Sequence, residues 1–293
     1  MGCLAIFIVR HFKFYKKIIY DGAKKGENML DFVLDFLFPP VCGICGKLDN
    51  NWLCAKCKKR LLKYEKFKLI QNKKEINELF NFLNKDLYEK VCLNNFEEYK
   101  YIYFDEILYC FEYRKLVRNL ILKYKFSDCG YLSNLFANIM LDNKKINGLF
   151  RKYDIIIPVP MDKRKKQMRG YNQTELITKC FDKYIKNNEK KCLVKYINSK
   201  DYNLKLTNYF KIQINNRCLI KIKNTKTQST LSAEERNKNI KNAFLVKSKS
   251  DIKNKNVILF DDIATTGSTV NEIAKILKEN GSKKILVLVI AKD

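Results

Sequence analysis

From Ile107 onward, short continuous apolar runs alternate with stretches whose apolar residues recur every three or four positions. ILYCFEY (107–113), YDIIIPVP (153–160), the run near Arg217–Ile222, VILF (257–260) and Lys284–Ile290 read as strands buried on both faces. Between them, Leu116, Leu120, Ile121 and Tyr124 share one face of a helix over about 113–126. Further helices are predicted at Tyr131–Leu141, Asn172–Tyr184 and Thr269–Asn280. This order predicts an α/β fold, a mainly parallel sheet with helices on both faces.

Upstream the texture differs. Leu30, Val33, Leu34 and Leu37 form a short helical stripe that Pro39 and Pro40 stop. Residues 63–105 are charged and aromatic, with one amphipathic helix predicted around Ile76, Leu79, Phe80 and Leu83. The expected organisation is an N-terminal extension over 1–28, a four-Cys module over 29–65, a helical linker or insertion over 66–106, and the main domain over 107–293. Residues 187–212 read as a polar-aromatic insertion. Met29 offers a second starting point, and residues 1–28 carry little functional information. LAIFIV (4–9) is too short to span a membrane and lacks a preceding basic region, so no stable membrane span is expected.

The chain has 293 residues and a formal net charge of +27, which attracts nucleic acid, phosphorylated small molecules or anionic lipid. His11 is the single His, which removes Ser-His-Asp chemistry from the main domain. Of eleven Cys, seven are scattered among apolar neighbours as buried free thiols tend to be, implying a reducing, cytoplasmic location. The other four, Cys42, Cys45, Cys54 and Cys57, form two C-x2-C knuckles eight residues apart. That spacing lets four thiolates surround one zinc ion, and an all-Cys shell leaves no position for a reactive water. The expected metal is therefore structural, in a small zinc-ribbon-like module. Trp52, in the connecting loop, reads as packing, with base stacking the alternative.

The sharpest signal is VILFDDIATTGSTV (257–270). A buried strand ends in Asp261 and Asp262, and Thr265, Thr266, Gly267, Ser268 and Thr269 turn into a helix whose N–H groups and hydroxyls suit a phosphate. A Thr269–Glu272 capping box is expected at its start and Gly281 at its end. Two carboxylates beside a phosphate cradle suit the donors of a ribose diol, so the pair describes a ribose 5-phosphate.

This string resembles the phosphoribosyl pyrophosphate (PRPP) loop of type I phosphoribosyltransferases. IIIPVPMDKRKKQMRGYNQTELI (155–177), TQSTLSAEERNKNIKNAFLV (227–246), EYRKLVRNLILKYKFSD and the four-Cys knuckle together resemble the ComF family, proteins linked to DNA uptake and natural transformation. The resemblance implies a PRPP-binding, phosphoribosyltransferase-like protein. Asp261 and Asp262 would hold the ribose hydroxyls and Thr265–Thr269 the 5-phosphate. Pro158, Val159, Pro160 and Met161 would shape the turn over the pyrophosphate, with Lys163, Arg164, Arg169 and Asn172 near it. Thr225–Asn242 would be a flap, its Gln228, Arg236 and Asn237 closing over substrate. Asp261, Asp262, Arg169 and Arg236 are the expected catalytic residues. Magnesium would arrive with PRPP, held by diol, pyrophosphate and water. Implied partners are PRPP, single-stranded DNA and a competence helicase or DNA-processing proteins. Two functions stay open: phosphoribosyl transfer to an unidentified acceptor, or a non-catalytic DNA-binding accessory or PRPP-sensing regulator.

Overall fold

The computed structural model describes residues 41–49, 53–80, 102–127, 129–198, 211–223 and 239–293. Contacts divide the chain into two units, Met1–Cys57 and Lys58–Asp293. In the first, Val41 bridges Leu48 antiparallel around a tight turn, which Cys42 N–H closes by donating to Lys47 O at 2.8 Å. Helix α1 (Ala55–Leu62) follows.

The second unit is built on a six-stranded sheet. Its strands are β1 (Glu65–Ile70), β2 (Glu106–Glu112), β3 (Ile155–Pro158), β4 (Gln213–Ile214), β7 (Asn256–Ala264) and β8 (Lys284–Lys292), in the spatial order β1-β2-β8-β7-β3-β4. All pairs are parallel except β1 with β2. β5 (Leu219–Lys221) and β6 (Phe244–Val246) form a separate antiparallel pair. The helices are α2 (Lys73–Phe80), α3 (Lys115–Phe126), α4 (Leu132–Leu141), α5 (Lys144–Lys152), α6 (Lys163–Arg169), α7 (Gln173–Asn198) and α8 (Ser268–Glu279).

Strand periodicity divides the core in two. Val257 and Leu259 of β7 join Ile285, Val287 and Val289 of β8 against Val270, Ile273, Ala274 and Leu277 of α8. On the opposite face Phe260 meets Phe181 of α7 at 5.5 Å between ring centroids, and Phe181 meets Phe150 of α5 at 5.4 Å. Helices thus cover both faces, and the central strands must be apolar throughout. No described helix is long and apolar enough to cross a membrane.

Several elements differ from expectation. The run near Arg217–Ile222 does not enter the main sheet; three residues of it pair with β6 instead. Strand β1 lies within the segment expected to be helical. It carries an irregularity between Glu65 and Lys68, where buried Phe67 has φ 40°. Such a bulge withdraws a carbonyl from the ladder, and Lys145 Nζ donates to Phe67 O at 2.9 Å. Helix α5 was not foreseen: Gly148 interrupts its pattern, yet Ile146, Leu149 and Phe150 are buried and Asn143 caps it by accepting from Lys145 N. Helix α7 overruns its expected end at Tyr184 because no Gly or Pro stops it before Asn198. In α3 the buried face is Val117, Leu120, Ile121 and Tyr124, with Leu116 only half-buried. Trp52, Gln228, Arg236, Asn237 and the stripe at Leu30–Leu37 lie outside the described residues.

Candidate active site

Strand order locates the site. After β3 the chain passes to β4 on one side, and β7 then pairs with β3 on the other. Connections diverging from neighbouring strands open a crevice at their carboxyl ends. Pro158 is in register with Phe260, and Val159 N–H donates to Phe260 O at 2.8 Å, so Pro160 and Met161 emerge beside Asp261 and Asp262.

Asp261 Oδ1 accepts from the Asp262 N–H at 2.8 Å. Lys125 of α3 sends its Nζ to both Asp262 carboxylate oxygens at 2.9 Å, a pair in which both side chains are largely withdrawn from water. Half-buried Asp261 sits in a harsher field. Burial first, and the Asp262 charge second, push its pKa up to about 7, against the pull of the Asp262 N–H, Lys125 and Lys221.

The following loop turns at Gly267, whose φ of 72° is left-handed backbone that favours glycine. Thr266 Oγ1 and Ser268 Oγ are 2.8 Å apart, and Asn271 N–H donates to Gly267 O at 2.9 Å to close the first turn of α8. Gly267 is the N-cap and no side chain caps it. The expected Thr269–Glu272 box does not cap the helix, because the N-cap is Gly267 and Thr269 already lies inside it; Glu272 Oε1 accepts from Asn242 N at 2.9 Å. Gly281, with φ 90°, follows the last residues of the helix as expected. Thr265, Thr266 and Thr269 are partly exposed around a helix start, an arrangement that suits an anion.

The third wall follows β3. Buried Asp162 caps α6 by accepting from Arg164 N at 2.9 Å and Lys165 N at 3.4 Å. Arg169, at the end of α6, places its guanidinium carbon 4.6 Å from the Phe126 ring centroid and donates to Gln173 Oε1 at 3.3 Å. Burial lowers its pKa, opposed by the charge of Asp262. Asn172 is 3% exposed and committed to the backbone: its Nδ2 donates to Val159 O at 3.3 Å and its Oδ1 accepts from Thr174 N at 3.2 Å. It positions the end of β3 and the start of α7. A reciprocal latch joins the same loop to α3, with Tyr171 OH donating to Tyr124 O at 2.5 Å and Tyr124 OH to Gln173 O at 2.8 Å.

The four cysteines form a separate centre. Their ligand atoms lie within 4.8 Å of one another, and Cys45 and Cys54 sulfurs are 3.8 Å apart. A tetrahedron of Zn–S bonds of about 2.3 Å has edges of about 3.8 Å, whereas a disulfide would need about 2.05 Å. The cluster could hold a metal ion. Gly46, with φ 73°, supplies the turn between Cys42 and Lys47.

Residues 215–293 match the phosphoribosyl transferase domain family. The chain is 32% identical over 173 residues to competence protein F of Haemophilus influenzae, covering 57% of this chain and 64% of that protein. It is 29% identical over 156 residues to the DNA utilization protein YhgH of Escherichia coli K12, covering 53% and 56%. Competence protein ComFC of Bacillus subtilis matches at 22% over 172 residues, covering 58% and 57%. The chain is thus similar to competence and DNA-utilization proteins and carries a phosphoribosyl transferase domain match over its last 79 residues. It spans less than two thirds of the length of these curated relatives. A solved structure described as the allosteric regulatory enzyme of purine biosynthesis matches at 14% identity and TM-score 0.27, covering 55% of this chain and 25% of that one.

The described site holds cations that the sequence pattern did not reveal. Lys125 pairs with Asp262, while the pKa values of Lys165 and Lys221 are lowered by burial and tuned by each other's neighbourhood of Asp162, Asp261 and Arg169. Lys221 Nζ stands 5.6 Å from the Phe244 ring centroid. Lys125 lies in the string KYKFSD that carried the family resemblance, but its apposition to Asp262 appears only in the fold. Lys163 and Arg164 are exposed on α6.

Proposed function

We propose that this chain is a phosphoribosyltransferase-like protein of the ComF family and binds PRPP with magnesium at the carboxyl ends of β3 and β7. It transfers the phosphoribosyl group to an acceptor with release of pyrophosphate, acting in the cytoplasm in support of DNA uptake. The observation that carries the reading is the apposition of Asp261 and Asp262 to the Gly267 loop at the divergence of the two strands. The competence and DNA-utilization names of the relatives support the cellular role.

In this reading the carboxylates of Asp261 and Asp262 accept hydrogen bonds from the ribose diol. The Thr265–Thr269 loop takes the 5-phosphate through hydroxyls and first-turn N–H groups. Lys165, Arg169 and Lys221 face the pyrophosphate, whose charge grows as its bond to the anomeric carbon breaks. Lys125 holds the Asp262 carboxylate in place, while Asn172 and the Tyr124–Tyr171 latch hold the wall beneath them. Magnesium, arriving with PRPP, supplies further charge neutralisation on the pyrophosphate. The four thiolates of Cys42, Cys45, Cys54 and Cys57 hold a structural zinc ion.

Calorimetry with magnesium–PRPP tests the site. Each carboxylate–hydroxyl bond is charge-assisted, so the double variant Asp261→Asn, Asp262→Asn loses about 100-fold or more in affinity. A wild type that binds no PRPP sinks the assignment. A second reading, a single-stranded-DNA-binding accessory, draws on the net charge of +27 and on exposed Lys163, Arg164 and Lys166. It requires DNA binding that survives in the double variant and weakens steeply with salt.

A further inference from the structure

Gln173 is the first residue of α7 and is 1% exposed. Gly170, with φ 75°, turns the chain sharply after α6, and Arg169 and Gln173 meet across that turn. Arg169 Nη1 donates to Gln173 Oε1 at 3.3 Å. A guanidinium has donors only, so it fixes which end of the amide it faces. The other end, Nε2, is buried with no partner among the described residues. A side chain kept for packing alone would be better as Met or Leu, which leave no donor stranded. The stranded donor therefore marks the amide oxygen as the end in use.

The backbone of the same residue is tied to another element. Gln173 O accepts from Tyr124 OH at 2.8 Å, and Tyr124 directly precedes Lys125, whose Nζ lies 2.9 Å from both carboxylate oxygens of Asp262. One residue thus links the acid assigned to the ribose with the cation assigned to the pyrophosphate. The link takes up a single guanidinium N–H and cancels no charge. A Glu at this position would hold Arg169 as firmly but would neutralise the cation that has to answer a departing pyrophosphate. Resting on the PRPP reading above, we propose that Gln173 is a positioning residue: its neutral amide oxygen aims Arg169 at the pyrophosphate and keeps it in register with Asp262. It touches no substrate atom and acts through Arg169, so its effect is confined to ligands that carry a pyrophosphate.

Calorimetry on the full chain compares magnesium–PRPP with ribose 5-phosphate, which has no pyrophosphate. Gln173→Met, close in size but without the acceptor, is expected to lose roughly 10-fold in PRPP affinity while ribose 5-phosphate binding stays within about twofold. In an Arg169→Met background the same substitution should change PRPP affinity by less than about twofold, because the residue it positions is gone. Gln173→Glu keeps an acceptor and adds a charge, so it should hold Arg169 and still weaken PRPP. In the ligand-free chain, the Arg169 Nε–H NMR signal is assigned by its loss in Arg169→Met. It is expected in one fixed environment in the wild type and Gln173→Glu, and near the position of free arginine in Gln173→Met. Equal losses for both ligands, or equal losses with and without Arg169, reduce Gln173 to a structural residue and overturn the proposal. So does an Arg169 signal unchanged in Gln173→Met. A wild type that binds no magnesium–PRPP overturns the PRPP reading instead, and the NMR signal still decides whether Gln173 holds Arg169.

Discussion

Asp261 is a group whose stability cost and functional value have opposite signs. Its ordinary pKa is 3.8 and the folded chain raises it to about 7, chiefly by burial and by the Asp262 charge. A raised carboxyl binds a proton in the folded state that the unfolded chain has already released. The ligand-free protein therefore loses stability as pH climbs from about 4 to about 7, and the full cost persists above that range. The interval corresponds to at most about 4 kcal/mol; solvent reaching the half-buried carboxyl screens it to about 2 kcal/mol. Asp261→Asn keeps an oxygen for the Asp262 N–H but cannot ionise. Thermal unfolding by circular dichroism should show the variant gaining little at pH 4 and roughly 4–8 °C at pH 8.5, while it binds magnesium–PRPP more weakly than the wild type. A variant less stable than the wild type at pH 8.5, or an equal difference at both pH values, refutes the reasoning.

At the opposite end of the sheet, buried Glu106 accepts from Tyr153 OH and Lys284 Nζ, each at 2.6 Å, and from Gln71 Nε2. Burial alone would raise its pKa, but these partners bring it below the ordinary 4.5. Glu106→Gln should cost about 2–3 kcal/mol in urea unfolding at pH 7, and the deficit should vanish as pH falls through the lowered pKa, because a depressed carboxyl stabilises only while ionised. For the cysteine centre, metal analysis of the purified chain should find about one zinc per chain, lost in Cys57→Ser.

The central sheet was legible because its strands are buried on both faces and its helices carry one apolar stripe each. Asp261, Asp262 and the Gly267 turn were legible because they occupy one uninterrupted string. What escaped has identifiable causes. The β1 segment, EKFKLI, pairs only as an edge and bulges at Phe67, so its pattern is half polar and broken. Gly148 masks α5. Lys125, Lys165 and Lys221 vanish among 58 Lys and Arg, since only the fold distinguishes a cation turned toward an acid from one turned to water. The bond from the Asn172 amide to the Val159 carbonyl also appears only in the fold, because it joins two loops 13 residues apart.

The Lys125–Asp262 pair spans 137 positions of sequence, and Lys125 and Arg169 both lie outside the segment that matches the phosphoribosyl transferase domain family. The acidic string is therefore not a portable cassette. Grafted elsewhere or expressed as residues 215–293 alone, it would keep both negative charges and lose the ammonium that answers one of them. Charge balance here depends on a residue far upstream, so a polypeptide truncated from its N-terminal side beyond Lys125 displays the recognisable motif without the ammonium that answers Asp262.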